Sequence, residues 1–309
     1  QTLDSFYVSI AHAKPDLVGL NCALGAEALL PYARELSRLC ASAVAIHPNA
    51  GLPNELGGYD ESPEHMAGVI KQMALEGLLN VAGGCCGTTP RHIEAINRAL
   101  DGIAPRKLPE VPPLANKLAI AGLESLVNER HDAAFIFIGE RANVTGSPKF
   151  AKCIRAGDLA GGVQIALEQV RAGANVLDIS FDEALLDSKA LMRDFLRRLA
   201  AEPEIAKVPL MIDSSSMSVI EEGLKNAQGK CIVNSLSLKD GEAKFLENAA
   251  IIRRYGAAAI VMAFDEVGQA DNYERRIEIC KRSYDVLVDK VGFPAKDIIF
   301  DSNIFQVAT

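Results

Sequence analysis

Short apolar runs alternate with helical patterns along most of this chain, and that alternation restricts the fold more than any other feature of the sequence. Three runs come first, DLVGLNC (16–22), AVAIHPNAG (43–51) and LLNVAGGCCG (78–87). Apolar positions at three- and four-residue spacing over 25–40 and 63–77 lie between them. Six more runs follow, each trailed by a helical pattern: AFIFIGER (134–141), NVLDIS (175–180), VPLMIDS (208–214), KCIVNSLS (230–237), AAIVMAFDE (258–266) and DIIFDSN (297–303). Alternating strand and helix is the sign of a parallel sheet with helical crossovers.

Each of the last six runs ends in a polar residue. In a βα barrel the catalytic residues sit at the carboxyl ends of the strands, where the loops open onto one face. The competing reading is strand-terminating turn residues, since Asp and Asn favour turns; six such ends in succession favour the barrel. The usual barrel needs eight strands to close. The expected fold is therefore α/β, two consecutive (βα)8 TIM-type barrels, both incomplete: the last three strands of the first and the first six of the second. The chain reads as an interior piece of a longer protein. Between the two sets, IAPRKLPEVPPLAN (103–116) carries four prolines that cannot continue a helix and favour an extended, semi-rigid connection. The expected organisation is 1–102 as the C-terminal part of one barrel, 103–132 as a Pro-rich linker, and 133–309 as the N-terminal part of another.

A net charge of −8 without clustered Lys or Arg argues against a nucleic-acid surface and for a small-molecule substrate. Seven scattered cysteines, an odd number, do not form a disulfide framework and point to a reducing compartment. With neither a signal core nor an apolar run of membrane-spanning length, the expectation is a cytoplasmic protein without a membrane partner.

Chemistry concentrates at GGCCGTTP (83–90), where Cys85 and Cys86 put two soft ligands on one sharp turn, while Cys22 closes a separate apolar run. Three thiolates converging on one tetrahedral metal leave the fourth position open, a catalytic rather than structural zinc pattern. Such a zinc suits the binding and deprotonation of a substrate thiol. The alternative for Cys85 and Cys86 is a buried pair of small apolar side chains or a strained vicinal disulfide. Cys40, Cys153, Cys231 and Cys280 lie on helical or strand patterns without nearby ligand types and read as core or surface thiols. None of His12, His47, His65, His92 and His131 has a two-histidine metal spacing; His47 either lines the pocket or positions a loop. Thr88 or Thr89 caps a following helix with Pro90 in its first turn and Ile93, Ile96 and Leu100 as its inward stripe.

The second set of strand ends reads IGERANVTGS (138–147), LDIS, MIDSS, IVNS and FDSN. A heteroaromatic ring with alternating donors and acceptors, such as a pterin, suits this lining: carboxylates accept from its amino and ring nitrogens, and Asn amides both donate and accept. Several carboxylates in one mouth raise each other's pKa and can supply a proton at neutral pH. Glu140 with Arg141 reads equally as a strand-end ion pair or as a direct ligand.

GLNC with GGCCGTTP, together with HPNAGLPN (47–54), resembles the homocysteine S-methyltransferase domain. The resemblance implies that Cys22, Cys85 and Cys86 bind zinc, which activates the homocysteine sulfur. Only the closing part of that domain is present, so the groups that hold the amino-acid end of homocysteine are largely missing. The later strand ends resemble the pterin-binding domain shared by dihydropteroate synthase and methyltetrahydrofolate methyltransferases. By that resemblance Asp213, Asn234 and Asp301 match ring-binding positions, Glu140, Asn143 and Asp178 match supporting ones, and Asn303 is a further candidate. Ser302 stands where the pattern has proline.

Both resemblances in this order are similar to the cobalamin-dependent methionine synthases. That similarity implies methyl transfer from methyltetrahydrofolate by way of cobalamin to zinc-activated homocysteine, giving methionine and tetrahydrofolate. Zinc and methylcobalamin are the implied cofactors. The DxHxxG signature of a cobalamin-binding module does not occur here, so the methylcobalamin is expected on a partner module of the same longer protein. Two other readings stand beside this one: a pterin condensing enzyme of the dihydropteroate synthase type, and a non-catalytic folate- and zinc-binding fragment.

Overall fold

A computed structural model describes residues 1–129 and 134–304. The chain divides into two compact units, Ala13–Ala115, and Gln1–His12 together with Asn116–Thr309. Helix α1 (Leu3–Ile10) belongs to the larger unit.

In the smaller unit β1 (Leu17–Gly25), β2 (Ala43–Asn49) and β3 (Val81–Ala82) form a parallel sheet in that order, each strand leading to a helix: α2 (Ala26–Leu39), α3 (Pro63–Leu75) and α4 (Pro90–Leu100). Helix starts follow local chemistry. Ser62 accepts from the His65 N–H at 3.2 Å with Pro63 at the first helical position, and Thr89 forms a reciprocal cap with His92. Val44, Ile46, Leu29, Leu36, Met66, Ile70 and Met73 are buried between sheet and helices. The third run pairs over two residues only, since its Gly-Gly-Cys-Cys stretch leaves the ladder to form the turn that carries the cysteines. The inward stripe of α4 also differs from expectation. His92 and Ile96 are buried four residues apart, while Ile93, one residue further round the helix, is 46% exposed.

The larger unit holds a six-stranded parallel sheet in sequence order: β6 (Ile138–Asn143), β7 (Val176–Ser180), β8 (Leu210–Asp213), β9 (Ile232–Leu236), β10 (Ala258–Met262) and β13 (Ile298–Asp301). All six lie within the apolar runs expected as strands or run at most two residues past them. Helices α5 (Pro148–Arg155), α6 (Leu159–Arg171), α7 (Ser188–Ala200), α8 (Pro203–Ala206), α9 (Met217–Asn226), α10 (Glu242–Arg254) and α11 (Tyr273–Asp285) connect them, with a small β11–β12 ribbon (Phe264–Asp265, Gly268–Gln269) after β10. Phe150, Phe181 and Phe195 pack edge-on or tilted at 5.5–5.8 Å between sheet and helices. Among the described residues the sheet does not close: β6 and β13 are its edges.

The segment 103–132, read from its prolines as a connection, contains an antiparallel hairpin, β4 (Lys117–Ala121) with β5 (Ser125–Glu129). Ile120 packs with Val176, Met211, Ile232 and Ala258 at the amino ends of four sheet strands. The hairpin thus covers that end and leaves the carboxyl ends open. The boundary expected between 132 and 133 lies outside the described residues. No described helix is long and apolar enough to cross a membrane.

Candidate functional site

At the carboxyl end of β1 the pairing with β2 slips between Asn21 and Gly25, and Cys22 and Ala23 take left-handed backbone (φ 67° and 64°). That conformation costs a non-glycine residue of order 1 kcal/mol or more and turns the Cys22 side chain out of the strand's alternation. Cys85 and Cys86 arrive on the turn after β3. The Cys85 N–H donates to the Pro48 carbonyl at 2.8 Å, and the Cys86 N–H donates to the Asn49 Oδ1 at 3.2 Å. Thr88 closes the turn, its hydroxyl donating to the Cys85 carbonyl at 2.6 Å. Glycine is required at 83, where a Cβ would lie 2.5 Å from the His47 ring, and at 87, where φ is +77° and a Cβ would lie 2.2 Å from Tyr59 Cγ. His47 therefore props the turn.

The result is one cluster. Cys22 Sγ lies 3.6 Å from Cys86 Sγ, Cys86 Sγ lies 3.9 Å from Cys85 Sγ, and all three sulfurs fall within 4.8 Å of one another. Zinc–sulfur bonds of about 2.3 Å at tetrahedral angles put sulfurs about 3.8 Å apart, so the three ligands fit zinc with little rearrangement. All seven cysteines are free thiols. The Ala23 backbone N–H, followed by Cys86 and Cys85, holds the Cys22 thiol below its ordinary value. Interaction with Cys22, aided by burial, pushes the Cys85 thiol up.

In the larger unit the open carboxyl ends surround a cavity of about 430 Å³. Glu140, Asn143, Asp178, Asp213, Asn234 and Asp301 all line it, over a floor of Ile138, Met211, Ile260 and Ile299. Asn143 Nδ2 donates to Asp178 Oδ2 at 2.9 Å and to Asp213 Oδ2 at 3.0 Å. Its Oδ1 accepts from the Thr145 hydroxyl and from the Thr145 and Gly146 N–H groups, which fixes the amide's orientation. Burial pushes Asp178 up to about 7, Asn143 opposing and Asp213 and Glu140 adding to it. Burial, then the charge of Asp182, pushes Asp213 up to about 6. Asp178 Oδ1 is buried without a protein partner.

Asn303 stands apart from this lining. It is 3% exposed, its Nδ2 donates to the Ala263 carbonyl at 3.2 Å, and its N–H donates to Asp301 Oδ1 at 2.8 Å. It supports the strand end that presents Asp301. Arg141 donates to the Gly146 carbonyl at 3.1 Å, and no Glu140–Arg141 ion pair forms among the described residues. Sequence reasoning gave no role to Asn49, whose Oδ1 accepts from the Cys86 N–H, or to Tyr59, whose ring lies against Gly87. The signal available for Asn49 was a polar residue closing an apolar strand.

The fold and sites define an α/β protein with a three-cysteine cluster in one unit and a carboxylate-lined cavity in the other. The chain belongs to the pterin binding enzyme family, which matches residues 139–309, more than half of its length. Homocysteine S-methyltransferase matches residues 1–100. The two matches in this order fit a methionine synthase fragment with homocysteine- and folate-binding parts. Among solved structures, the chain is similar to a Xanthomonas albilineans dihydropteroate synthase in complex with indole-2-carboxylic acid and 6-chloroguanine, at 16% identity and TM-score 0.44 over 60% of this chain and 65% of that one. A Vibrio fischeri ES114 7,8-dihydropteroate synthase matches at 17% identity and TM-score 0.44 over 60% and 68%. An Anaplasma phagocytophilum dihydropteroate synthase with bound 6-hydroxymethylpterin-monophosphate matches at 17% identity and TM-score 0.40 over 53% and 64%. The chain spans less than two thirds of the length of the first of these.

Proposed function

We propose that this chain carries two substrate sites of one methyl transfer: homocysteine at Cys22, Cys85 and Cys86, and methyltetrahydrofolate in the carboxylate cavity, with methionine and tetrahydrofolate as products. In this reading residues 1–102 and 133–309 are parts of two successive βα barrels, and the protein works in the reducing cytoplasm. Cobalamin enters as the methyl carrier, a substrate of each half-reaction presented by another module of the same longer protein.

The observation that carries the proposal is the spacing of the three sulfurs, 3.6 and 3.9 Å for two of the pairs. Bound there, zinc supplies the Lewis acidity that turns a thiol in its remaining position into a thiolate at neutral pH. The chain's part is to hold three ligands on the left-handed end of β1 and the Gly-rich turn. In the cavity, Asp178 and Asp213 accept from ring and amino N–H groups, Asn143 ties the two carboxylates together, and Asn234 donates or accepts at the next strand end. A tertiary amine loses its methyl group readily only when protonated, and Asp178, titrating at about 7, keeps a proton beside the ring at neutral pH.

Metal analysis on the purified chain tests the first site: one zinc per chain is expected, falling to a small fraction when Cys86 becomes Ala. Metal-free, folded wild-type protein ends the proposal. Calorimetry tests the second, with methyltetrahydrofolate expected to release heat and Asp213→Asn expected to weaken binding by at least tenfold, the cost of about one charge-assisted hydrogen bond. The pterin-family match also suits a condensing enzyme of the dihydropteroate synthase type. Turnover of a pterin pyrophosphate without any response to methyltetrahydrofolate would favour that reading.

A further inference from the structure

Asp213, one of the cavity's carboxylates, sits at a strand end that a further acid holds in place. It closes β8, paired with Ser180 on one side and with Asn234 on the other. Beyond it the chain leaves the sheet, and a strand end of this kind frays unless something ties it. Asp182, two residues past the end of β7, supplies the tie. Its Oδ1 accepts from the Ser214 hydroxyl at 2.6 Å, and its Oδ2 accepts from the Ser215 N–H at 2.6 Å. Ser214 Oγ accepts in turn from the Ser216 N–H at 3.1 Å, and the Ser214 N–H donates to the Asn234 carbonyl at 3.2 Å. The loop that carries Asp182 is itself anchored. The Ser188 hydroxyl and the Glu183 N–H both donate to the carbonyl of Phe181, which is fully buried, and Glu183 pairs with Arg155 at 2.8 Å. Among the described residues Asp213 lines the cavity and Asp182 does not, so the Asp182 carboxylate serves the connection that follows β8.

We propose that Asp182 is a positioning residue of the carboxylate cavity: by clamping Ser214 and Ser215 it fixes the Asp213 carboxyl for a flat ring whose edge carries neighbouring N–H donors. The inference rests on the pterin reading given above. Its physical ground is direction. A carboxylate takes two N–H groups of one ring edge only when its plane meets that of the ring, and binding groups must be held within about 0.5 Å for this. Asn143 holds Asp213 Oδ2 from the β6 side, and Asp182 holds the backbone that follows from the β7 side. Both Asp182 bonds are charge-assisted, which makes the clamp stronger than a pair of neutral contacts. Burial is the larger cause that brings the Asp213 carboxyl up to about 6, and the charge of Asp182 adds to it, with Glu140 contributing less. Asp182 acts through Asp213 and need not touch the ring.

Three variants separate this role from a general loss of structure. Asp182→Asn keeps an acceptor for the Ser215 N–H and offers its amide N–H to the Ser214 hydroxyl, so the clamp stays and the charge goes. Asp182→Ala removes the clamp, and Ser214→Ala cuts one of its two arms. Each is titrated with methyltetrahydrofolate by calorimetry across a pH series, with urea unfolding as the control for folding. Wild-type affinity is expected to rise with pH as Asp213 loses its proton and becomes an acceptor. At about pH 8, Asp182→Ala is expected to bind on the order of tenfold more weakly, Ser214→Ala several-fold more weakly, and Asp182→Asn within about twofold of wild type. In Asp182→Asn the rise comes at lower pH, because one negative charge facing Asp213 is gone while Glu140 on β6 and Asp178 on β7 remain. Wild-type affinity in Asp182→Ala, or in Ser214→Ala should the first fail to fold, overturns the inference. So does an unmoved pH profile in Asp182→Asn, or a loss of affinity there equal to that in Asp182→Ala. A wild-type chain that binds no methyltetrahydrofolate overturns the pterin reading and this inference with it, whereas a binding wild type beside unchanged variants overturns this inference alone.

Discussion

Asp178 is the residue where stability and function oppose each other most directly. It is 3% exposed, with Oδ2 held by Asn143 and Oδ1 buried without a partner. Its folded carboxyl titrates at about 7 against an ordinary 3.8, so between those values the folded state binds more protons than the unfolded chain. Stability therefore falls as pH rises through that window, and the full penalty is present above it. At about 1.4 kcal/mol per pH unit the penalty reaches about 4 kcal/mol as an upper figure. Asp178→Asn is predicted to be more stable than wild type by about 2–4 kcal/mol at about pH 8, with the gain gone at about pH 3, and to bind methyltetrahydrofolate less tightly. Urea unfolding at the two pH values checks this; a variant no more stable than wild type at the higher pH would contradict the assignment. The identity of this carboxylate was legible as the Asp of LDIS at a strand end. Its titration was not, because burial by neighbouring strands is invisible in one strand's sequence.

Among the elements, the β4–β5 hairpin shows how distant segments decide local structure. Lys230 exchanges both backbone hydrogen bonds with Ala121, at 2.9 and 3.0 Å, and its Nζ meets Asp297 Oδ1 at 2.7 Å with both side chains no more than 7% exposed. Gly229, at φ +86°, lies under the Ala121 carbonyl, where a Cβ would approach to 1.9 Å. Removing one member of a buried ion pair strands the other, at about 3–5 kcal/mol, whereas replacing both with apolar groups can be close to neutral. Lys230→Met is accordingly predicted to lower the urea midpoint sharply, and Lys230→Met with Asp297→Leu to recover most of the loss. A double variant as unstable as the single one would show that the ion pair is not what the substitution disturbs. The hairpin escaped sequence reading because each strand has five residues and follows a proline-rich stretch. Its apolar face is explained only by Val176, Met211, Ile232 and Ala258, which come much later in the chain.

At the scale of the whole molecule, the acidic surface and the sheet edges act in opposite directions. The net charge of −8 keeps copies apart. Among the described residues β6 and β13 are edge strands, and Phe135 and Phe137, 78% and 60% exposed, stack edge-to-face at 4.9 Å beside β6. Unpaired backbone next to exposed aromatic surface promotes pairing with another chain. Light scattering on a dilution series is predicted to show reversible association, strengthened by salt as charge repulsion is screened and reduced by the pair Phe135→Lys and Phe137→Lys. A monodisperse monomer at high concentration and high salt would refute this.

The strand–helix alternation, the polar strand ends and the Gly-Cys-Cys-Gly turn were readable directly, because periodicity and turn chemistry act over a few neighbouring residues. They placed the six sheet strands of the larger unit and a helix cap at Thr88 or Thr89, and they nominated the three clustered cysteines and the polar residues that line the cavity, but not Asn49. What remained was decided by packing between segments far apart in sequence. Burial raised Asp178, Tyr59 was laid over Gly87, Asn303 was turned inward to Ala263, and the left-handed end of β1 brought Cys22 to within 3.6 Å of Cys86. Composition can nominate three sulfurs, but their separation depends on the pairing of β1 with β2 and of β2 with β3, and only the folded chain supplies it.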